Sequence, residues 1–282
     1  MQLPRAQLLA PDLGAGATVA VIDTGIDLDH PAFAGRLAPA NQWYDFVEGD
    51  TRPHEISDHG PTTMGIGFGH GTAVAGIILQ AAPNATILPL RVLNTDGVGN
   101  LDDVIAAIDH AVAMGAQLIN LSLGATATIS NLNAMIDYAT KKGVHRVASS
   151  GNTGDTKVTH PAAHFADGSG GAKYRSLSVG SVGADTRRSS FSTYGDPTEI
   201  SAPGEEIVTF YPDDRLAQAT GTSCAAPIAS GALALGFGET PKRDEYGKRS
   251  EHINATAGHN SRNEFGYGLL QIEDYLLKAM GR

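Results

Sequence analysis

Residues 18–23 read TVAVID, a run of mostly branched, apolar residues that ends on Asp23. Such a run is typical of a strand buried on both faces, as in a parallel sheet, whereas a half-exposed strand alternates apolar and polar residues. In open α/β folds, binding and catalytic groups collect at the carboxyl ends of these strands. The stretch therefore predicts a parallel sheet, with any functional site at the edge where Asp23 lies.

Strand and helix patterns alternate along the rest of the chain. Strands are predicted at residues 85–92, 117–122, 144–149, 177–182 and 199–202, and helices at residues 100–114, 130–142 and 223–235. Two segments rich in turn-forming residues, 48–69 and 165–173, are expected to be surface excursions. The alternation predicts a three-layer α/β/α fold with a mainly parallel central sheet. Since no linker divides the chain, we expect a single domain over residues 1–282.

The composition excludes several classes of function. The formal net charge is -10, and no basic cluster is dense enough to follow a phosphate backbone, so nucleic acid is not an expected partner. No run of about 18 apolar residues occurs, and we expect no membrane span. Cys224 is the only cysteine, which excludes an internal disulfide and a thiolate metal site. Residues 1–17 lack the pattern of a signal peptide, so a cytoplasmic protein and a secreted mature form remain as alternatives.

Three residues have the chemistry of a nucleophilic site, although each also has an ordinary structural explanation. Asp23 is equally suited to a turn or a helix cap, and the TGID that follows it lacks the glycine spacing of a dinucleotide site. His70 lies in GFGHGTAVAG, where a structural histidine is the commoner explanation and no Lys-Ser/Thr pair completes a phosphate loop. Ser223 lies in GTSCAAP at the start of a predicted helix. There the helix dipole favours developing negative charge, but serine is also a preferred N-cap.

The order Asp23, His70, Ser223 is one of three unrelated chain orders that build the same triad, and the surrounding segments resemble the subtilase family. The resemblance is carried by VAVIDTGID (19–27), HGTAVAG (70–76), NLSLG (120–124), SGN (150–152) and GTSCAAP (221–227), with weaker matches at 189–195 and 201–204. It covers residues 17–235, and GYGLL at 266–270 fits the end of the family's closing segment, here 236–282.

The resemblance implies a subtilisin-like fold and a serine endopeptidase that cleaves extended protein or peptide segments through an acyl-enzyme. In the family pattern Ser223 is the nucleophile, His70 the general base and Asp23 the residue that orients the base. Asn152 matches the oxyanion-hole asparagine, which acts together with the backbone N–H of Ser223. A macrocyclising or peptide-processing enzyme and a catalytically silent peptide binder are the alternatives. The expected partners are a peptide substrate and an inhibitory propeptide outside this chain.

The resemblance also implies a groove that binds the substrate as an added strand. The first specificity pocket receives the substrate side chain just before the scissile bond, called P1. Two walls flank this pocket, and they correspond to Ser122, Leu123, Gly124, Ser149, Ser150 and Gly151. The opposing edge and an apolar pocket farther up the groove correspond to Gly97, Val98, Gly99, Leu101, Val104 and Leu123. Because the first pocket has small neutral residues, we expect it to be roomy and to prefer an uncharged P1 side chain.

The chain departs from the family pattern in three places. Ala73 stands where a second histidine is common. Cys224 replaces the usual methionine, either as a small packing residue or as a redox- or mercurial-sensitive thiol. Residues 77–83 leave no room for the family's high-affinity calcium loop, so we do not expect calcium at that place, and the chemistry itself is expected to require no cofactor. The Asp, Asn and Gly clusters at residues 45–58 and 167–171 are weaker candidates for a cation, because such clusters are usually turns.

Overall fold

A seven-stranded parallel sheet forms the centre of the computed structural model, which describes residues 2–57, 65–127, 130–167, 175–239, 253 and 262–281. In chain order the strands are β1 (Thr18–Asp23), β2 (Tyr44–Asp45), β3 (Thr86–Arg91), β4 (Leu118–Leu121), β5 (His145–Ser149), β6 (Ser176–Val182) and β7 (Ile200–Pro203). Their order across the sheet is β2-β3-β1-β4-β5-β6-β7, and each neighbouring pair is parallel. The parallel sheet expected from residues 18–23 is confirmed.

Helices cover both faces of this sheet. They are α1 (Leu3–Leu9), α2 (His70–Ala81), α3 (Leu101–Ala113), α4 (Ser130–Lys141), α5 (Ala162–Asp167), α6 (Thr222–Glu239), α7 (Arg262–Phe265) and α8 (Ile272–Ala279). Helices α2 and α6 pack together on one face, and α3 packs with α4 on the other. The three-layer α/β/α architecture is therefore as predicted. Within the described ranges, no helix combines the length and apolar character needed to cross a membrane.

Strand β1 contributes to the core on both faces of the sheet. Val19 and Val21 belong to the apolar cluster that includes α2 and α6, whereas Ala20 and Ile22 belong to the cluster that includes α3 and α4. All four side chains are at most 1% exposed. Because successive residues of a strand point to opposite faces, a strand covered on both faces needs apolar residues at every position. This explains why TVAVID shows no alternation.

Pro89 lies inside β3, although proline removes a backbone donor from a ladder. It is opposite Val21 of β1, whereas β2 pairs only with Leu90 and Arg91. The N–H of Ile87, two residues earlier, donates to Arg36 O on the side away from β1. Since residues two apart point the same way, the Pro89 nitrogen points to that side too, just before the pairing with β2 begins. The missing N–H therefore leaves the ladder with β1 intact.

The prediction that residues 48–69 and 165–173 are surface excursions is wrong in part. Residues 165–167 belong to α5, and the Phe165 side chain is fully buried beside Arg146. Within residues 48–69, Glu55 is only 5% exposed, and its N–H donates to Ile26 O next to β1. Residues 58–64 and 168–174 lie outside the described ranges. The turn-forming residues around Glu55 and Phe165 give no sign in the sequence that these two side chains are buried.

A two-stranded antiparallel hairpin was not expected from the sequence. It consists of β8 (Ile207–Tyr211) and β9 (Arg215–Ala219), joined by a turn in which Asp213 and Asp214 have φ values of 65° and 57°. The hairpin packs on α2, where Thr209 Oγ1 donates to Ala73 O at 2.8 Å. Both strands are short and half-exposed, so no apolar run marks them.

We predict that Leu88→Ala lowers the free energy of unfolding by about 2–5 kcal/mol, because it leaves a cavity in a core that cannot close around it. Leu88 of β3 is fully buried, whereas Val208 of β8 is 53% exposed. Urea denaturation followed by circular dichroism measures the loss, with Val208→Ala as the matched control that changes stability by less than about 1 kcal/mol. Equal losses in the two variants would contradict the assigned core.

Candidate active site

Asp23 and His70 meet at the carboxyl edge of the sheet. Asp23 ends β1, and His70 begins α2 after Gly69, which has a φ of 84°. His70 Nδ1 and Asp23 Oδ1 are 2.7 Å apart. The Asp23 side chain is 1% exposed and the His70 side chain 33%. Because a carboxylate only accepts, Nδ1 carries the proton and Nε2 is left as the basic nitrogen.

The start of α2 is held against the turn after β1 by close backbone packing. A Cβ atom at Gly71 would lie 2.0 Å from Gly25 O, so only glycine fits there. The Gly71 N–H donates to Thr24 Oγ1 at 2.9 Å, and the Thr24 N–H donates to Asp23 Oδ1 at 2.8 Å. These contacts determine the distance between the strand end and the first residue of the helix, and hence the Asp23–His70 hydrogen bond.

The pKa of His70 is raised above its ordinary value. Burial by itself lowers this pKa, but the charge of Asp23, the hydrogen bond to Asp23 and the charge of Glu55 together outweigh burial. The protonated imidazole is thus stabilised by two carboxylates. A histidine in this setting is a stronger base than free imidazole.

Glu55 is a buried carboxylate that sequence reasoning missed. Its Oε1 accepts from Thr24 Oγ1 at 2.7 Å, and its Oε2 accepts from Thr72 N at 3.2 Å and Thr72 Oγ1 at 2.9 Å. Burial raises the pKa of Glu55 to about 7, although its hydrogen bonds lower it in part. Glu55 therefore joins the turn after β1 to the first turn of α2. No local pattern marks it, because a glutamate within a loop is ordinarily exposed.

Ser223 is the second residue of α6, next to the end of β4. Its Oγ donates to Ser122 O at 3.1 Å, and Ser122 Oγ donates in turn to Ser223 O at 3.1 Å. The hydroxyl is thus directed to Ser122 and not to His70 in this structure. Catalytic hydrogen bonds are often long or misaligned without substrate and form on binding. Ser122 lines the same cleft as His70, whereas Ser223 is not among the lining residues and adjoins the cleft through its hydrogen bond to Ser122.

The side-chain amide of Asn152 is oriented by Thr222, a residue that the sequence did not single out. Asn152 Oδ1 accepts from Thr222 N at 2.9 Å and from Thr222 Oγ1 at 2.8 Å. With Oδ1 occupied, Nδ2 remains to donate. The backbone N–H of Ser223 lies in the first turn of α6, where N–H groups have no partner within the helix. A Cβ atom on Gly221 would lie 3.4 Å from Asn152 Nδ2 and 3.7 Å from Ser223 N, so the two donors, from different elements, are close to each other.

A cleft of about 480 Å³ extends from His70 along the sheet edge. It is lined by eight of the groove residues expected from the sequence, namely Gly97, Val98, Gly99, Leu101, Val104, Ser122, Leu123 and Gly124. Leu93, Leu132 and His160 also line it and were not expected. Of the described lining residues, Asp96 alone is acidic. Because leucine and valine side chains supply much of the lining, the cleft is mainly apolar.

Ser149, Ser150 and Gly151 are not among the residues that line this cleft. The side chains of Ser149 and Ser150 are buried, and Ser150 Oγ donates to Thr193 O at 2.9 Å. Both serine side chains are thus held in the interior, and the segment at residues 149–151 stays a predicted wall of the first pocket. A wall built by this segment consists of its backbone and of Gly151.

The Cys224 thiol is buried behind the nucleophile. Its side chain belongs to the core cluster of α2 and α6, and burial raises its pKa to about 11. A thiol of this kind is protonated at neutral pH and is a poor nucleophile. The structure therefore favours packing over the redox-sensitive alternative.

One group of side chains in the described ranges has the spacing of a cation site, namely Asp27, Asp29 and His54, whose ligand atoms lie within 4.8 Å of one another. Asp27 already accepts from the N–H groups of Asp29 and Asp213, and His54 Nδ1 accepts from Leu28 N. Asp29 is an exposed partner of Arg52. Protein groups therefore already use several of the atoms that would bind a cation.

Neither the described part of the cluster at residues 45–58 nor the link between α2 and β3 gains support as a cation site. Asp45, in the cluster at residues 45–58, is fully buried and paired with Arg91 at 2.9 Å. The link between α2 and β3 spans only residues 82–85 and has no carboxylate, which does not fit a calcium site. Residues 168–171 of the second cluster lie outside the described ranges.

Several known proteins are similar to this chain. Residues 14–268 match the model of the subtilase family. Thermitase of Thermoactinomyces vulgaris is 36% identical over 238 residues, which cover 83% of this chain and 79% of that protein. Subtilisin BL of Lederbergia lenta is 33% identical over 269 residues, covering 92% and 90% respectively. The crystal structure of a cold adapted subtilisin-like serine proteinase superposes with a TM-score of 0.73 at 30% identity, covering 92% of this chain and 88% of that one.

We predict that Glu55→Gln lowers the pKa of His70, because it removes a negative charge that stabilises the imidazolium. The imidazole resonances, followed by NMR across the pH range, report this value directly. Glu264→Gln removes the same charge from an exposed position of α7 and is the matched control. An unchanged or higher pKa of His70 in folded Glu55→Gln protein would contradict the electrostatic coupling.

Proposed function

This chain belongs to the subtilase family and is a subtilisin-type serine endopeptidase, and we propose that Ser223, His70 and Asp23 carry out its reaction. The observation that carries the proposal is the 2.7 Å hydrogen bond between His70 Nδ1 and Asp23 Oδ1. It leaves Nε2 as the basic nitrogen of a histidine that lines the cleft. A serine at the start of a helix beside the same cleft supplies the nucleophile.

The reaction follows from these groups in two halves. Ser223 Oγ attacks the carbonyl carbon of the scissile peptide, and its proton passes to His70 Nε2. His70 returns that proton to the leaving amine as the C–N bond breaks, which leaves an ester on Ser223. Water then attacks the ester and gives a proton to His70, which passes it back to Ser223 Oγ as the acid product departs. Asp23 stabilises the imidazolium in both halves, in keeping with the raised pKa of His70.

We assign the oxyanion of each tetrahedral intermediate to the Asn152 Nδ2 and Ser223 N donors. Support comes from the two hydrogen bonds that hold Asn152 Oδ1 on Thr222, because an amide fixed in advance loses no freedom when the charge develops. His70 then carries each proton transfer, and Asp23, Asn152 and Ser223 stabilise the imidazolium and the oxyanion. The proposed chemistry therefore needs no cofactor.

The substrate is an extended peptide that adds as a strand between residues 97–99 and 122–124. Main-chain hydrogen bonds to these edges supply affinity regardless of sequence, and side-chain pockets supply selectivity. Leu101, Val104 and Leu123 line the upper cleft together with Leu93 and Leu132, so an apolar side chain fits there. Since small neutral residues form the walls of the first pocket, the P1 side chain is uncharged.

We predict that a fluorophosphonate probe labels the wild-type protein and does not label folded Ser223→Ala. Labelling requires a serine oxygen that is activated by a base, and a serine that only caps a helix has no such base. Mass spectrometry of the labelled peptide identifies the site. Cys224→Ala is the control that retains labelling and excludes attack by the thiol. Folded wild-type protein that never labels would support the silent peptide binder instead, and cyclic products in a peptide digest would indicate macrocyclisation.

We predict that Asn152→Ala lowers kcat by about 10²–10³ with little change in KM, because the lost donor acts on the charge of the transition state. Thr222→Val removes one of the two bonds on Asn152 Oδ1 and causes a smaller loss in kcat. Steady-state kinetics on one peptide substrate compares the two variants. A rise in KM at unchanged kcat would show that Asn152 binds substrate and does not stabilise the oxyanion.

A further inference from the structure

We propose that Thr159 closes the base of the first specificity pocket, so that this enzyme cleaves after small uncharged residues such as alanine, serine or glycine. The inference rests on the proposed function, in which residues 122–124 and 149–151 are the two walls of that pocket. It deepens that function by naming the class of side chain that the pocket accepts. The sequence alone predicted a roomy pocket from its small neutral walls, because the position of Thr159 at the base depends on the tertiary structure.

Hydrogen bonds tie Thr159 and its neighbour to both walls. The Thr159 N–H donates to Ser150 O at 3.0 Å, and Thr159 Oγ1 donates to the same oxygen at 3.3 Å. His160, the next residue, exchanges two backbone hydrogen bonds with Ala125, at 2.9 and 3.0 Å. Residues 159–160 therefore bridge the wall that follows β5 and the wall that follows β4.

The Thr159 side chain lies close to one glycine of each wall, Gly124 and Gly151. A Cβ atom on Gly124 would lie 2.4 Å from Thr159 Oγ1 and 2.8 Å from Thr159 Cβ. A Cβ atom on Gly151 would lie 3.0 Å from Thr159 Cγ2 and 3.4 Å from Oγ1. The hydroxyl and the methyl group of one threonine thus fill the room that both glycines leave open.

The walls cannot readily move apart to make room for a larger side chain. Ser150 is fixed by its backbone bond to β6, where its N–H donates to Val179 O at 3.0 Å, and by its hydroxyl bond to Thr193 O at 2.9 Å. Gly151 N donates to Thr222 Oγ1 at 3.3 Å. Because a close-packed site tolerates extra methylene groups poorly, a phenylalanine or leucine at P1 must displace Thr159.

The groove therefore discriminates differently at its two ends. Thr159 is not among the residues that line the 480 Å³ cleft, although Gly124 and His160 are, and the side chains of Leu93, Leu101, Val104 and Leu132 form the upper, apolar part of that cleft. A bulky apolar side chain fits in that upper part, several residues before the scissile bond. Substrates that combine a bulky apolar residue there with a small residue at P1 are expected to be cleaved fastest.

Two peptide substrates that differ only in alanine or phenylalanine at P1 test the proposal. We expect wild-type kcat/KM to be at least about ten-fold higher for the alanine peptide, and Thr159→Gly to raise kcat/KM for the phenylalanine peptide by about ten-fold or more. Thr159→Val keeps the volume, loses the hydroxyl and retains the preference for alanine. Thr156→Gly makes the same change at an exposed position of this loop and leaves the ratio unchanged.

Thr159→Ser removes only the methyl group and raises the phenylalanine rate part of the way, which keeps the test available if the glycine variant is unstable. Equal rates on both peptides in the wild type, or no gain in the glycine and serine variants, would overturn the role of Thr159 while fluorophosphonate labelling still supported the peptidase. Absence of hydrolysis and of labelling in folded wild-type protein would overturn the proposed function and this inference together.

Discussion

The contact on which the site depends is the approach of α2 to the turn after β1, where Gly71 lies against Gly25 O so closely that a Cβ atom would be 2.0 Å away. The Gly71 N–H is bound to Thr24 Oγ1, one residue after Asp23. Asp23 and His70 are 47 residues apart in the chain, and this contact brings them within 2.7 Å of each other. A buried carboxylate is costly unless hydrogen bonds satisfy it, and the helix start supplies one of those bonds. The same contact thus orients the His70 imidazole and provides a hydrogen bond for the buried Asp23 carboxylate at the end of β1.

A second buried carboxyl, Glu55, adds to this arrangement from a segment that is otherwise made of turns. Desolvation raises its pKa to about 7, so its ionisation lies in the range where histidines titrate. Asp23 contacts the imidazole directly, whereas Glu55 acts on it through charge and through Thr24 and Thr72. Two carboxyls in different surroundings therefore influence one base. This links the reactivity of His70 to a loop that makes no contact with substrate in the proposed mode of binding.

The parallel sheet is the centre of the molecule, and the groups of the site extend from its carboxyl edge and from the first turns of α2 and α6. The proposed substrate contacts come largely from backbone, from segments after β4 and β5 where glycine lets another chain approach closely. Selectivity is then left to the few side chains that reach between those segments. Thr159 is one of them, and the leucines of the upper cleft are others. The general affinity for extended peptides and the choice among them thus belong to different residues.

The sequence by itself determined the fold class and predicted which chemical groups form the candidate site. TVAVID predicted the parallel sheet because burial on both faces demands apolar residues at every position, and the ordered segments around Asp23, His70 and Ser223 indicated the family. Only the tertiary structure revealed Glu55, Thr222 and Thr159, and only it placed the Ser150 side chain in the core. Thr222 meets Asn152 across 70 residues, and Thr24 meets Glu55 across 31. Periodicity and turn patterns report the local backbone and its burial, whereas the partner of a polar side chain depends on which distant segment the fold brings beside it.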